Sequence, residues 1–270
     1  LAAFLIFRTH RLHRRRVEDE RSAEVFNLRK IKDAAAASKV TFEHTGIFLR
    51  EVARVLNRAL EGLFDNDRMK LREARGAQRQ IQQWSNIIAA NIFKVLRLLQ
   101  WAEVADTHRY AQTISSLQEV SESVRDICVR GHLHVANNHA GLLDEQKAEL
   151  DLVRRRLVEI LEQTSEVLLQ RKFPRGPAIG ETNRALRMLV QEYDQNQIMR
   201  IQDNRSKTRL SILFYSIMWD VLKVAEQTTY LLDVFRDPLR AKADAGSPDT
   251  PAADAGPGAG PAEGLDETPH

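Results

Sequence analysis

Three histidines and two asparagines lie within eleven residues near the middle of the chain, in the stretch HLHVANNHAGL (132–142). Imidazole is a common metal ligand, so this stretch could hold a zinc ion. On a helix, however, His132 and His134 would point about 200° apart around the axis, and His134 and His139 share no face. Asparagine and glycine instead suit the end of a helix, because both tolerate left-handed backbone geometry. The spacing therefore favours a structural turn over a histidine metal site.

Acidic residues on the segment before this turn offer a second route to metal chemistry. Glu119, Glu122 and Asp126 are separated by three and four residues, so on a helix they share one face. Carboxylates on one face can hold a divalent cation if a facing helix adds further oxygen ligands. A solvated acidic face is the alternative, since bundle helices commonly have one. Of the two we favour the solvated face, so we expect no required cofactor, and these three acids are the candidate site for a divalent cation.

Other chemistry finds little support in the sequence. There is no nucleophile elbow, no phosphate-binding glycine loop and no HExxH pair, so we expect no enzymatic activity. Cys128 is the only cysteine, which excludes a disulfide framework and a cysteine-based zinc cluster. Neither a compact helix-turn-helix nor a basic region with heptads is present, and we expect no binding to nucleic acid.

The segments that carry these residues are predicted to be helical. Apolar residues recur at three- and four-residue spacing from about 38 to 236, and no segment shows the sustained alternation of a strand. We predict an all-α, antiparallel six-helix bundle made of two three-helix repeats, at about 38–133 and 143–236. The strongest break is FPRGPAIG (173–180). The predicted helices run from about 38 to 64, 67 to 100, 102 to 133, 144 to 172, 181 to 202 and 209 to 235.

The two ends of the chain differ from this helical body. LAAFLIF (1–7) is fully apolar and is followed by five arginines within residues 8–16, the order expected where a transmembrane helix ends at the cytoplasmic side. We therefore interpret 1–7 as the end of a transmembrane helix and 8–37 as its basic flank and charged tether. Residues 237–270 hold seven acidic and two basic residues, a balance of −5, and are rich in Pro, Gly and Ala. This composition predicts a disordered tail.

Two stretches resemble a known family. YAQTISSLQEVSESVRDICVRGHLHVANNHAGL (110–142) and QIMRIQDNRSKTRLSILFYSIMWDVLKVAEQTTYLLDVFRD (197–237) are similar to passages in the cytosolic helical domain of long bacterial PiT-type inorganic phosphate transporters, and NIFKVLRLLQ (91–100) matches a further short segment. The most specific element is the NNHxGL turn. Its family-signature residues are His134, Asn137, Asn138, His139 and Gly141.

The resemblance implies a function as well as a fold. The domain is similar in plan to PhoU proteins, regulators of phosphate uptake built from two three-helix repeats. Some of these bind metal through ExxxD motifs, and here only Glu122–Asp126 keeps that spacing; the sixth helix departs from it. The family's transport helices have no counterpart in this sequence, so the resemblance assigns no substrate-binding residue.

On this resemblance we expect part of a cation-coupled phosphate transporter in the bacterial inner membrane, with this domain in the cytoplasm. The missing membrane part would bind inorganic phosphate and the coupling cation. The domain itself would have a regulatory or assembly role, packing against the transporter, another subunit or a second copy of itself as a homo-oligomer. The alternative is a free-standing, soluble PhoU-like adaptor in phosphate signalling.

Overall fold

The structure, a computed structural model, describes residues 34–98, 104–171 and 176–244. All regular secondary structure in these ranges is helical, so the predicted all-α fold class is confirmed. The predicted helix order is also observed. The six helices are α1 (Ala34–Phe64), α2 (Arg68–Leu98), α3 (Val104–Ala136), α4 (Asp144–Gln170), α5 (Gly176–Gln202) and α6 (Thr208–Asp244).

The helices form two halves of three. Helices α1, α2 and α3 pack against one another, and so do α4, α5 and α6. The halves meet where α1 packs on α4 and α3 packs on α6, so the first and third helices of each half pair with their counterparts. Helices α2 and α5 pack within their own halves and lie on the two outer sides.

The core is built from the apolar stripes that the sequence predicts. Residues at three- and four-residue spacing lie on one side of a helix, and burying these sides against one another removes apolar surface from water. In α1 the buried side consists of Phe42, Leu49, Val52, Val55, Leu56, Ala59, Leu60 and Leu63, and Ile47 is half-buried. In α6 the buried side includes Leu213, Ile217, Val221, Val224, Thr228, Leu231 and Phe235.

Several helix ends differ from the prediction, including the end of α3, which continues to Ala136 and not to about residue 133. Helix α1 begins at Ala34 and α6 continues to Asp244, past the predicted domain end at 236. The sequences AAAA and LRAKAD at these ends are rich in strong helix formers. Helix α5 begins at Gly176, inside the predicted break, because Pro177 occupies its first turn, where a missing N–H leaves no helical hydrogen bond unmade.

Residue type alone would favour Asp65 or Asn66 as the cap of α2 and Asp144 as the cap of α4, but the structure places both caps at neighbouring residues. Asp67 caps α2, because its carboxylate accepts hydrogen bonds from the backbone N–H groups of residues 69 and 70 at 2.8 and 3.1 Å. Asn66 has φ 52° and ends α1. At α4 the cap is Leu143, whose backbone N–H donates to the Gln146 side chain at 3.0 Å.

The predicted membrane segment at 1–7, most of the predicted tether at 8–37 and residues 245–270 of the predicted disordered tail lie outside the described residues. Those three assignments stay predictions. Among the helices that the structure describes, none is long and apolar enough to cross a membrane.

Gly46 lies where α1 approaches α4. A Cβ added at this residue would lie 2.8 Å from Leu169 Cγ and 3.2 Å from the carbonyl oxygen of Ser165. The hydroxyl of Ser165 donates a hydrogen bond to the carbonyl oxygen of Gly46 at 2.7 Å. The two halves of the domain can approach this closely because residue 46 has no side chain.

We expect Gly46→Ala to lower the free energy of unfolding by about 1–3 kcal/mol, because the added methyl group would force α1 and α4 apart. Urea unfolding followed by circular dichroism measures this change. Gly76→Ala is the matched control, since nothing lies within 4 Å of a Cβ added at that exposed position of α2. Alanine there should stabilise the protein by about 0.5–1 kcal/mol. Unchanged stability of Gly46→Ala would contradict the close packing of the two halves.

Candidate functional site

The predicted signature turn lies at the junction of α3 and α4. Helix α3 continues through Ala136, so His132 and His134 lie on its last turns, and Asn138 has φ 53° just beyond the helix end. His134 is buried, and its Nε2 lies 2.8 Å from the carbonyl oxygen of Ala140. The rings of His134 and His139 meet edge to face, with centroids 5.3 Å apart. The turn is thus held by its own side chains.

The same turn contacts the loop between α1 and α2. The guanidinium of Arg68 donates to the carbonyl oxygens of Val135 and Ala136, at 3.3 and 2.8 Å, and to Asn138 Oδ1 at 2.6 Å. A Cβ added at Gly141 would lie 2.9 Å from the side chain of Asn66, so a side chain there would collide with the loop. Arg68 therefore satisfies carbonyl groups that the end of α3 would otherwise leave unpaired.

The histidines of the turn do not converge with further metal ligands among the described residues. Burial lowers the pKa of His134, and burial followed by the charges of Arg75, Arg72 and Arg68 lowers the pKa of His132. No three His, Cys, Asp or Glu side chains in the described ranges are grouped so that they could hold a metal ion. The turn has the geometry of a packed helix junction, while its role as a family signature stays a prediction.

The three acids predicted to bind a cation lie on α3 but do not converge. Glu119 is half-buried and Glu122 is exposed, and neither forms an ion pair with a described residue. Asp126 accepts hydrogen bonds from Arg125 at 3.0 Å and from Arg130 at 3.1 Å. Two guanidinium groups thus already balance the charge of Asp126. The divalent-cation site stays a prediction with no cluster of ligands around it.

Arg130 also joins the two halves of the domain. Its Nη1 donates to Asp220 Oδ2 of α6 at 2.6 Å, and the Asp220 side chain is only 8% exposed. Burial raises the pKa of Asp220 to about 6, although the charge of Arg130 opposes this shift. The sequence showed Arg130 four residues after Asp126, the spacing of a helical ion pair. It could not show that α6 would bring a second carboxylate to the same guanidinium.

A cleft of about 360 Å³ lies beside this ion pair, on the outer face of α6 between α3 and α5. Its lining is mainly apolar or aromatic, and Trp219 at its edge is 69% exposed. Asp194 of α5 also lines it, and burial raises the pKa of that carboxyl group. The cleft holds no pairing of nucleophile and general base that would suit catalysis.

The outer face of α6 carries further exposed apolar side chains. Ile212 is 59% exposed and lies two helical turns before Trp219, so both point away from the core on the same side. Tyr230 extends this face towards the other end of the helix. A row of exposed apolar side chains on one helix suits contact with another protein. The helical period of the sequence places these residues on one side of α6. Which side is exposed depends on the helices that pack around α6, and the sequence does not show that.

A buried polar network holds α5 and α6 to α4. Arg200 donates to both carboxylate oxygens of Glu149, at 3.0 and 2.7 Å, and its side chain is 5% exposed. Gln197 donates to the hydroxyl groups of Ser206 and Ser211 at 2.9 and 3.0 Å. These groups satisfy one another inside the bundle and leave no open ligand position, so we assign them a structural role.

We expect the stability of the protein to fall as the pH rises from about 4 to 6 in part because of Asp220. The folded state keeps the proton of this carboxyl group up to about pH 6, whereas its ordinary pKa is 3.8, so ionisation opposes folding in this window. Asp220→Asn should remove this contribution. Relative to wild type, the variant should gain about 1 kcal/mol between pH 4.5 and pH 7, since solvent at the cleft screens part of the effect. Urea titrations at both pH values measure the difference, and parallel pH dependence of the two proteins would contradict it.

No family model and no curated protein matches the sequence. Solved structures do match the fold. The crystal structure of PhoU from Pseudomonas aeruginosa has a TM-score of 0.66 at 10% identity, and the match covers 77% of this chain and 100% of that one. The phosphate transport system regulatory protein PhoU from Streptococcus pneumoniae has a TM-score of 0.62 at 14% identity, covering 78% of this chain and 98% of that one.

At these identities the similarity concerns the fold, which confirms the PhoU-like architecture expected from the sequence. The attachment of this domain to a PiT-type transporter stays a prediction. The paired three-helix halves, the helix order and the structural match together establish that this chain folds as a PhoU-like domain.

Proposed function

We propose that this chain is the cytosolic regulatory and assembly domain of a cation-coupled inorganic phosphate transporter in the bacterial inner membrane. The observation that carries the proposal is the PhoU-like fold, which it shares with a protein described as a phosphate transport system regulator. The resemblance of 110–142 and 197–237 to PiT-type transporters supports the same role. The apolar segment at 1–7 followed by arginines fits attachment to the last membrane helix.

In this proposal the domain acts by binding and by changing shape. Phosphate and the coupling cation pass through the membrane part, while the helical domain contacts the transporter, another subunit or a second copy of itself. The exposed face of α6 with Ile212, Trp219 and Tyr230 is the contact surface, because aromatic and apolar side chains are favoured at the centres of protein interfaces. A cation at Glu119, Glu122 and Asp126 is not required.

The contact surface lies next to the junction between the halves. The ion pair of Arg130 with Asp220 joins α3 to α6. Asp220 follows Trp219 in the sequence, and Arg130 lines the same cleft as Trp219. A partner that covers Trp219 would further exclude water from this ion pair. Binding at the surface could therefore shift the packing of one half on the other, which is the kind of two-state element that regulation needs.

We expect Trp219→Ser in the intact transporter to change the initial rate of phosphate uptake, or its response to external phosphate, by about two- to tenfold. This range corresponds to the loss of one interface anchor worth about 0.5–1.4 kcal/mol. Uptake of radiolabelled phosphate in cells without other phosphate transporters measures the effect at equal membrane expression. Met188→Ser is the matched control, since Met188 is similarly exposed on α5 but lies off the α6 face.

Deletion of residues 38–236 is the stronger version of this experiment. If uptake and its response to phosphate are unchanged by both the deletion and Trp219→Ser, at equal expression, a gating role is excluded. If uptake changes in the deletion variant but not in Trp219→Ser, the domain has a regulatory role but Trp219 does not belong to its contact surface.

The alternative, a free-standing PhoU-like adaptor without a transport role, makes a different prediction about attachment. The coding sequence before Leu1 would then lack a series of apolar spans, each about 20 residues long. The protein would also leave the membrane fraction on washing with salt or carbonate. The transporter domain would remain in that fraction under both treatments.

A further inference from the structure

Four arginines form a row along the outside of α2: Arg68, Arg72, Arg75 and Arg79. Their spacing of four, three and four residues places them on one side of the helix, over a length of about 17 Å. No carboxylate in the described ranges forms an ion pair with any of these arginines. We refer to them as the arginine row.

Two arginines of this row contact described residues and the other two do not. Arg68 donates to the end of α3, and Arg75 lies 3.1 Å from Nδ1 of His132. Arg72 and Arg79 are exposed and make no hydrogen bond to a described residue. The guanidinium groups of Arg72 and Arg79 are therefore available to an anionic partner.

Nearby groups do not neutralise the row. Glu73, the acidic neighbour of Arg72 on the helix, is turned to Arg58 of α1 and pairs with it at 2.5 Å. The charges of Arg75, Arg72 and Arg68 all contribute, after burial, to lowering the pKa of His132, so these three arginines act together on the facing side of α3. Gly76 lies among the arginines, and nothing is within 4 Å of a Cβ added there. An extended chain can thus approach the helix closely.

The chain itself contains a segment of matching charge. Residues 245–270 carry five carboxylate side chains and no lysine or arginine. This segment follows the end of α6, so it is tethered to the domain. Tethering raises the concentration of the segment near the row to the order of millimolar, which favours it over a free partner of equal charge.

The length of the segment decides which carboxylates can reach the row. Helices α2 and α6 begin at the same end of the bundle, and α6, with 37 residues, is about 55 Å long. Asp244 therefore lies about 40 Å along the bundle axis from Arg79. Asp249 and Asp254 follow Asp244 too closely to reach Arg79. Even a fully extended chain places Asp254 at most about 35 Å from Asp244. Glu263 and the residues after it can lie about 60 Å or more from Asp244 when the chain is extended, which is enough to reach the row.

We propose that residues 245–270 fold back along the bundle and that the distal carboxylates Glu263, Asp266 and Glu267 pair with Arg72 and Arg79. Carboxylate and guanidinium groups have complementary geometry for such pairs. The acidic segment thereby covers the basic side of α2 within one molecule. An external anionic partner can use the arginine row only by displacing it. This inference is independent of the proposed transport role.

The experiment uses the full chain with a nitroxide spin label on Ala262→Cys. Cys128 does not compete for the label, since it is fully buried and burial raises its pKa to about 12. At low salt we expect the amide NMR signals of residues 70–80 to lose roughly half of their intensity or more through paramagnetic broadening. At about 0.5 M NaCl the intensity should return, because screening weakens exposed ion pairs.

Two pairs of variants give matched controls. Glu263→Gln, Asp266→Asn and Glu267→Gln together should abolish the broadening, whereas Asp249→Asn with Asp254→Asn should leave it. On the domain, Arg72→Gln with Arg79→Gln should abolish it. Arg50→Gln with Arg184→Gln removes the same charge from two exposed residues elsewhere and should leave it.

Three results would overturn the proposal. The first is the absence of selective broadening on α2 at low salt. The second is broadening that grows with protein concentration, which would assign the row to a second copy of the chain. The third is binding of anionic phospholipid vesicles or of an oligonucleotide that depends on Arg72 and Arg79, with α2 unaffected by the labelled segment. That result would assign the row to an external polyanion.

Discussion

The close contact between α1 and α4 is the constraint on which the rest of the domain depends. A three-helix half by itself would leave apolar residues of its first and third helices exposed to water, which is unfavourable. Packing α1 on α4 and α3 on α6 covers both sets at once. Gly46 allows the first of these contacts, because its lack of a side chain lets α1 approach the Ser165 turn of α4.

The second contact, α3 on α6, contains a charge that must be balanced. Asp220 is nearly buried, and a buried carboxylate without a partner is costly. Arg130 supplies the partner across the junction and also pairs with Asp126 on its own helix, so two carboxylates share its guanidinium. The same arrangement leaves Asp126 less available to a cation.

The domain presents two surfaces of different character. Trp219 and Ile212 make the outer face of α6 apolar, whereas Arg72 and Arg79 make the outer face of α2 basic. These helices belong to different halves, which meet through α1, α3, α4 and α6.

The sequence by itself determined the class of fold, the order of the six helices and most of the core, because helical periodicity is a local property. It also placed a helix end within 132–142, although α3 continues to Ala136 and not to about residue 133, and it disfavoured a histidine metal site from spacing alone. Only the tertiary structure decided that Arg130 meets Asp220 and that Arg72 and Arg79 find no carboxylate in the described ranges. These features depend on how each helix is rotated and aligned against its neighbours. Residues far apart in sequence set that alignment, and no spacing within one helix reports it.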